Sequence, residues 1–173
     1  MSANPDDIRI GKGIVSFSET DSEGDLRDLG FVPKFDITQD ITTKDYVSAR
    51  EGIGVVAKTF ITQLKGTIAF AIDSVIGDNL KYFALGEVTE DTDGNSVILS
   101  LTETSIEGLL KVEGTNTAGK MVDWIAKVSL RPTGTLSLIT NTDDFSSIPL
   151  EATVIRTDAY GFGKYTVHDA ETV

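Results

Sequence analysis

Residues 114–120 resemble the start of a phosphate-binding P-loop, a motif that binds nucleotides. They match its first seven positions, and the eighth position should be a Ser or Thr whose hydroxyl ligates Mg²⁺. Met121 stands there instead and has no such oxygen. A P-loop also opens a helix, whereas the residues after Lys120 alternate as in a strand. We therefore predict a glycine-rich hairpin loop here.

A second stretch resembles the start of a calcium-binding EF-hand loop. Asp91, Asp93 and Asn95 occupy alternate positions, as do the first ligands of such a loop. The sixth position, which needs glycine, is Ser96, and the twelfth, which needs glutamate, is Thr102. This pattern predicts an acidic hairpin turn and no metal site.

His168 is the single histidine of the chain, so any Ser-His-Asp or Cys-His arrangement would depend on it. It lies five residues before the C-terminal Val173, and no G-x-S-x-G nucleophile motif occurs elsewhere. The absence of cysteine excludes thiolate catalysis, disulfides and Cys-ligated zinc. We predict that the protein is not an enzyme and needs no cofactor.

Composition is that of a globular protein with a strongly acidic surface. The 173 residues carry a formal net charge of −12, which repels nucleic-acid phosphates and anionic lipids. No apolar run reaches the roughly 20 residues of a membrane helix, and the first residues lack the features of a signal peptide. We expect no membrane anchor and synthesis in a cytoplasm. The charge indicates either simple solubility or a surface that must not adhere to DNA.

The elements that would hold these residues are mostly strands. Short segments of period two separated by turn signals indicate an antiparallel sheet. The predicted strands are residues 13–18, 31–40, 53–63, 65–73, 96–101, 106–113, 121–130, 135–140, 148–156 and 160–167. The predicted fold is mainly β, an antiparallel β-sandwich or barrel-like fold. Residues 1–173 form one domain, with a polar N-terminal arm at about 1–12 and a C-terminal tail at about 168–173.

Residues 74–85 depart from this pattern. Ile76, Leu80, Phe83 and Ala84 recur at helical spacing. Asp73 or Ser74 could cap the first N–H groups and Gly86 could end the helix. We predict one amphipathic helix packed against the sheet.

A polar insert, residues 41–52, separates two strand-like arms. It is too long for a tight turn, and long structured hairpin loops tend to contact something else. We predict a β-hairpin arm over about residues 38–56. Its mixture of hydroxyl and charged residues favours a polar contact. The candidate contact residues are Thr42, Thr43, Lys44, Asp45, Tyr46, Ser48 and Arg50.

Two further features have a structural and a functional interpretation. Trp124, the single tryptophan, lies on the apolar side of its strand and is predicted to pack in the core; the alternative is a stacking platform for a sugar or base. A run of carboxylates is either a solvated sheet edge or a surface that faces something anionic. These carboxylates are Glu87, Glu90, Asp91, Asp93, Glu103 and Glu107.

The order of these segments resembles that of phage major tail proteins, the tail tube proteins of long-tailed siphophages. The resemblance covers nearly the whole chain, although each motif by itself is weak. The segments that carry it are residues 11–17, 28–38, 67–86, 119–120 before Trp124, 129–136, 143–145 and 148–151.

This resemblance implies a β-sandwich subunit with a flanking helix that assembles into hexameric rings. The rings would stack into a hollow tube that conducts DNA to the host, with the hairpin arm reaching into an adjacent subunit or ring. Six copies at −12 each would give −72 formal charges per ring; carboxylates lining the lumen would keep DNA from adhering. The implied partners are further copies of the chain, tape measure, tail terminator and baseplate proteins, and passing DNA without specific binding. The implied location is the virion tail, assembled in the bacterial host cytoplasm.

Two other classes of function remain open. A β-sandwich binding module, such as an adhesin or a capsid-decoration domain, would use the same strands with Trp124 or the loops as its ligand surface. A hydrolase on a β scaffold is disfavoured by the lone histidine and the incomplete P-loop.

Overall fold

The computed structural model describes residues 11–48, 54–115, 120–138 and 146–169. The N-terminal ten residues, Arg50 and residues 170–173 therefore lie outside the described part of the chain. The strands are β1 Gly13–Ser18, β2 Arg27–Asp28, β3 Phe35–Ser48, β4 Val55–Ile72, β5 Val88–Glu90, β6 Ser96–Ile98, β7 Ile106–Gly114, β8 Lys120–Pro132, β9 Ile148–Ile155 and β10 Lys164–Asp169. The helices are α1 Gly77–Ala84 and a 3₁₀ turn, Glu23–Asp25.

An eight-stranded antiparallel sheet forms the body, in the order β2-β1-β7-β8-β9-β4-β3, with β10 paired to β8. Strand β8 pairs with β10 through its first half and with β9 through its second half. The sheet curls back on itself, as the contact between its terminal strand β3 and β8 shows: the Phe35 and Trp124 ring centroids are 6.0 Å apart. The observed fold is thus mainly β and barrel-like with one α-helix, as predicted. Strands β5 and β6 form a separate hairpin.

The core lies on the inner side of this curled sheet and follows the period-two pattern. Alternate residues of β8, β9 and β4 point inward, as the sequence pattern indicates. The buried hydrophobic residues that cluster there are Val15, Phe17, Leu29, Ile68, Phe70, Ile72, Tyr82, Ile106, Leu110, Trp124, Ala126, Val128, Leu130, Ile148, Leu150, Ala152 and Val154. Trp124 is 2% exposed, which confirms its predicted place in the core.

The segment before β10 is shaped by the bulk of Trp124. Gly163 has a φ of +115°, and a Cβ at this position would lie 2.3 Å from the indole nitrogen Nε1. A larger residue would meet both backbone strain and this ring. Glycine at position 163 therefore lets the chain pass over the edge of the Trp124 ring before β10 pairs with β8.

Several predicted strand boundaries differ from the observed ones. The strand predicted at residues 31–40 begins later and extends well into the predicted polar insert, because Phe35–Ser48 is one continuous strand. The strand predicted at residues 53–63 begins at Val55 and continues to Ile72. The separately predicted strand at residues 65–73 belongs to β4. Residues 135–138 form no strand; residues 139 and 140 lie outside the described part. The predicted C-terminal tail overlaps β10 at His168 and Asp169.

Helix α1 is present but is shorter and differently capped than predicted. Its N-cap is Ile76 without a side-chain hydrogen bond, and Leu85 rather than Gly86 adopts the left-handed conformation that ends it. Gly86 is needed for a different reason: a Cβ there would lie 2.2 Å from the carbonyl oxygen of Leu99.

The buried side of α1 centres on a polar residue, Asn79, and on Tyr82. Asn79 Nδ2 donates to the carbonyl oxygens of Leu29 at 3.0 Å and Ser74 at 2.9 Å. Its Oδ1 accepts from the Arg27 guanidinium at 2.9 Å. The Tyr82 ring packs edge-on against Phe17, and burial raises the pKa of its hydroxyl above the usual range. This network joins the helix to β2 and to the loop that follows it.

Candidate functional site

Strands β3 and β4 form a hairpin that extends far beyond the sheet. Strand β9 pairs with β4 only over residues 67–72, and in the described part of the chain residues 55–66 pair with β3 alone. At about 3.3 Å per residue, this two-stranded ribbon is roughly 35 Å long. We call it the arm; it comprises residues 39–48 of β3 and 55–66 of β4. It confirms the hairpin arm predicted at about residues 38–56.

Pairing along the arm determines which side chains share a face. Cross-strand partners point to the same side of an antiparallel ribbon. Register shifts occur between Thr42 and Thr43 and between Tyr46 and Val47. Because Thr62 and Ala57 are the extra residues at these shifts, the period-two pattern of β4 is broken twice.

One face of the arm is aliphatic. It carries the pairs Ile41–Leu64, Thr43–Ile61, Asp45–Thr59 and Val47–Val56. Ile41, Val47, Val56, Ile61 and Leu64 are each between 45% and 60% exposed. The same face continues toward the body through Ile37 and Ile68, which pack in the core. The aliphatic face of the arm is therefore a continuation of the core-facing side of the sheet. Beyond the core, no part of the described chain covers this face.

The opposite face is basic and aromatic. It carries Thr42, Lys44, Tyr46, Lys58 and Phe60. The Lys58 ammonium lies 5.0 Å from the centroid of the Phe60 ring, within the range of a cation–π contact. The two faces of the arm thus differ strongly in chemistry.

The predicted arm residues are divided between these faces. Thr43 and Asp45 lie on the aliphatic face, where the Asp45 carboxylate accepts a hydrogen bond of 2.6 Å from Thr59. Thr42, Lys44, Tyr46 and Ser48 lie on the other face. The polar contact favoured by the sequence stays a prediction, and the arm also exposes the five aliphatic residues. Alternation at Ile41, Thr43, Asp45 and Val47 was a usable signal in β3, but the two bulges hide it in β4.

A small pocket lies at the base of the arm. Its volume is about 160 Å³, and it opens between the two arm strands and Phe162. Ile41 and Leu64 of the aliphatic face form part of its wall. The pocket continues the aliphatic face down to the body of the protein.

The six predicted carboxylates are all exposed and fall into two groups. Glu87, Glu103 and Glu107 line one cleft of about 400 Å³, together with Glu19 and Lys81. Lys81 forms an ion pair with Glu19. Lys127, which is ion-paired with Asp21, lies close enough to Glu107 for the two charges to interact. The second group, Glu90, Asp91 and Asp93, belongs to the β5–β6 hairpin.

Asp91 shapes the turn between β5 and β6. Its carboxylate accepts hydrogen bonds of 2.9 Å from the backbone N–H groups of Asp93 and Asn95, and one of 3.0 Å from the Asn95 amide. The Asn95 side chain is the main cause of the lowered pKa of Asp91. Gly94 completes the turn with a φ of +81°. The acidic hairpin turn is confirmed.

The remaining motifs occupy structural positions. Lys120 begins strand β8 rather than a helix, so the P-loop resemblance does not extend to its fold; residues 116–119 lie outside the described part. His168 belongs to β10, and its Nε2 lies 3.0 Å from an Asp123 carboxylate oxygen. The other Asp123 oxygen accepts from the N–H of Gly114 at 2.8 Å. Among the described residues, no group of three or more His, Cys, Asp or Glu is placed to hold a metal ion.

A cleft of about 400 Å³ opens where the start of β3 approaches β1, β7 and β8. Its wall includes Val32, Phe35, Ile37, Trp124 and Tyr165. The cleft lies where the curled sheet stays open, and Trp124 forms part of its wall.

Comparisons with known proteins assign no family. No family model matches the chain. No curated protein matches it either. One solved structure, described as the cryo-EM structure of the anti-feeding prophage cap (AFP tube terminating cap), matches with 14% identity and a TM-score of 0.49. The match covers 98% of this chain and 100% of that one. This similarity is too distant to assign a function to this chain.

No helix in the described ranges is long and apolar enough to cross a membrane.

Proposed function

We propose that this protein is a structural, non-catalytic subunit that polymerises into the tube of a phage tail. In this proposal hexameric rings stack into a hollow tube that conducts DNA during ejection. The location is the virion tail, after assembly in the host cytoplasm. The further partners are tape measure, tail terminator and baseplate proteins.

The projecting arm is the observation that carries the proposal. It holds a row of aliphatic side chains away from the core of its own chain. An isolated two-stranded ribbon has marginal stability in water, and exposed aliphatic patches of this kind mark interaction surfaces. In the described chain, the outer edge of β3 also lacks a strand partner over its 14 residues. Such an edge is a site for pairing with another chain. Contact with further copies would satisfy both features.

The acidic charge supports the same function. A tube that passes DNA must not retain it, and a net charge of −12 per copy opposes phosphate binding. At physiological salt the Debye length is about 8 Å, so repulsion acts near the wall without closing a wide channel. We propose that Glu87, Glu103 and Glu107 in their shared cleft, with Glu90, Asp91 and Asp93 of the β5–β6 hairpin, are the carboxylates that face DNA.

Electron microscopy and sedimentation of the purified protein test this function. We expect rings and hollow tubes whose length grows with protein concentration. Material that stays monomeric at the highest attainable concentration, in low and high salt, would contradict the proposal.

The alternative is a β-sandwich binding module, and the open seam beside Trp124 is the observation in its favour. Such a module would remain monomeric or form a small closed oligomer. Its single tryptophan would report ligand binding through a change in fluorescence.

A further inference from the structure

A second exposed apolar surface lies beside helix α1, on the two residues that precede the helix and on the segment from β6 to residue 101. It consists of Val75, Ile76, Val97, Leu99 and Leu101, which are between 38% and 75% exposed. We call it the α1–β6 patch. Residues 96–101 follow the helix from its start to its end: a Cβ on Gly77 would lie 2.9 Å from the Ser96 Cβ, and the Leu101 N–H donates to the Ala84 carbonyl at 2.7 Å. The segment that carries Val97, Leu99 and Leu101 therefore runs beside the helix that follows Val75 and Ile76.

The patch and the arm lie at opposite ends of the strands. Strand β4 begins in the arm and leaves the sheet at Ile72, where the chain enters α1. The chain returns to the sheet at Ile106, whose partner Leu130 lies in the half of β8 that pairs with β9. The segment with the patch thus leaves and rejoins the sheet at the end remote from the arm.

The charges near the two surfaces are complementary. The arm carries Lys44, Lys58 and Lys65 against Asp40 and Asp45, and the Asp45 carboxylate already accepts from Thr59. No lysine or arginine occurs from Tyr82 to Leu110, a stretch that contains the patch residues Val97, Leu99 and Leu101. This stretch instead contains six carboxylates, and three of them lie on the β5–β6 hairpin next to Val97.

We propose that the aliphatic face of the arm of one copy covers the α1–β6 patch of a second copy. The inference rests on the proposed assembly function and adds the receiving surface. Two different patches at opposite ends make a head-to-tail contact, and repetition of such a contact produces rings or an open filament. The arm lysines lie on the face turned away from the patch. Their charge gives the arm a net positive charge that attracts the acidic segment of the second copy and so steers the encounter.

Two variants, each blocked at one surface, test the contact. Ile61→Glu places a charge on the aliphatic face of the arm, and Leu99→Glu places one in the patch. Burying an unpaired carboxylate in an apolar contact is costly. We expect each variant alone to need an assembly concentration at least about 100-fold above that of the wild type, which corresponds to about 2.7 kcal/mol.

Mixing the two variants shows whether the arm of one copy binds the patch of another. Each retains one intact surface, so the arm of Leu99→Glu can bind the patch of Ile61→Glu. Sedimentation is expected to show a 1:1 complex with twice the mass of the particle that either variant forms alone, and this complex does not grow further. If the arms instead paired with each other, Leu99→Glu would still associate by itself and the mixture would give no new complex; that result would overturn the proposal.

A matched control tests whether the position of the added charge, rather than the charge itself, blocks assembly. Gln63→Glu adds the same charge on the opposite face of the arm and is expected to assemble like the wild type. Far-ultraviolet circular dichroism confirms folding, and Val56→Glu with Val97→Glu provides a second pair should either first variant misfold. Wild-type protein that never assembles contradicts the proposed function itself. Normal assembly of all blocked variants contradicts only this contact.

Discussion

At the scale of single residues, Asn79 connects parts of the chain that the sheet does not join. Its side chain is fully buried and bonds to Leu29, Ser74 and Arg27. Of the residues predicted from helical spacing, Leu80 and Phe83 are partly buried and pack against the core, whereas Ile76 is 49% exposed. The Asn79 side can face inward because its buried amide is fully paired: it donates to the Leu29 and Ser74 carbonyls and accepts from Arg27.

Replacing Asn79 with alanine should therefore destabilise the protein by about 2–3 kcal/mol, since it removes the hydrogen bonds of the buried amide to Leu29, Ser74 and Arg27. Urea unfolding followed by Trp124 fluorescence measures the change. Asp78→Ala, at the exposed neighbouring position of the same helix, is the matched control and should cost under about 1 kcal/mol. Equal losses in the two variants would show that the amide network contributes nothing specific.

At the scale of secondary-structure elements, the arm and the sheet are energetically separate. The clustered core residues lie in the sheet, in α1 and in the loops around them, and none lies in the arm. The arm is held by its own ladder of hydrogen bonds and by few side-chain contacts, such as that of Thr59 with Asp45. The body should therefore fold whether or not the arm is present.

Replacing residues 43–62 with Asn-Gly, a two-residue hairpin turn, should yield a folded body that does not assemble. Trp124 fluorescence and far-ultraviolet circular dichroism check the fold, and sedimentation checks assembly. Tubes of wild-type length from this variant would exclude the arm from the assembly contact. An unfolded product would show that the arm supports the body.

At the scale of the whole molecule, the charge is unevenly distributed. Four exposed carboxylates, Glu19, Glu87, Glu103 and Glu107, line one cleft with Lys81, which is paired with Glu19. Others, such as Asp36 beside Lys34, lie in local ion pairs elsewhere on the surface. Overall charge and local charge can therefore be tested separately.

Assembled wild-type particles should retain no double-stranded DNA at about 50 mM salt. Reversal of the cleft charge by Glu87→Lys with Glu107→Lys should produce retention that is lost by about 200 mM salt, because phosphate contacts are strongly salt-dependent. Filter binding measures this. Asp36→Lys with Asp158→Lys changes the net charge equally outside the cleft and should have little effect. Equal retention of DNA by both pairs of variants would indicate that the acidic charge serves general solubility and has no specific role in the cleft.

Local sequence patterns were sufficient to predict much of this protein. Alternation places Trp124, Val128 and Leu130 in the core. Successive side chains of a strand point to opposite faces, so a strand with one solvent-exposed face has an apolar residue at every second position. The Asp91–Asn95 turn follows from residues that bond to their own backbone. Both depend on neighbours in the chain, so the sequence by itself determined them.

Tertiary structure decided the features that depend on partners distant in sequence. The aliphatic face of the arm arises from the register of β3 against β4, in which two bulges bring Val56, Ile61 and Leu64 to one side. The buried role of Asn79 depends on Arg27 and Leu29, about fifty residues away. Whether a polar or apolar side chain faces a partner is determined by pairing across the fold, and periodicity along one strand cannot specify that pairing.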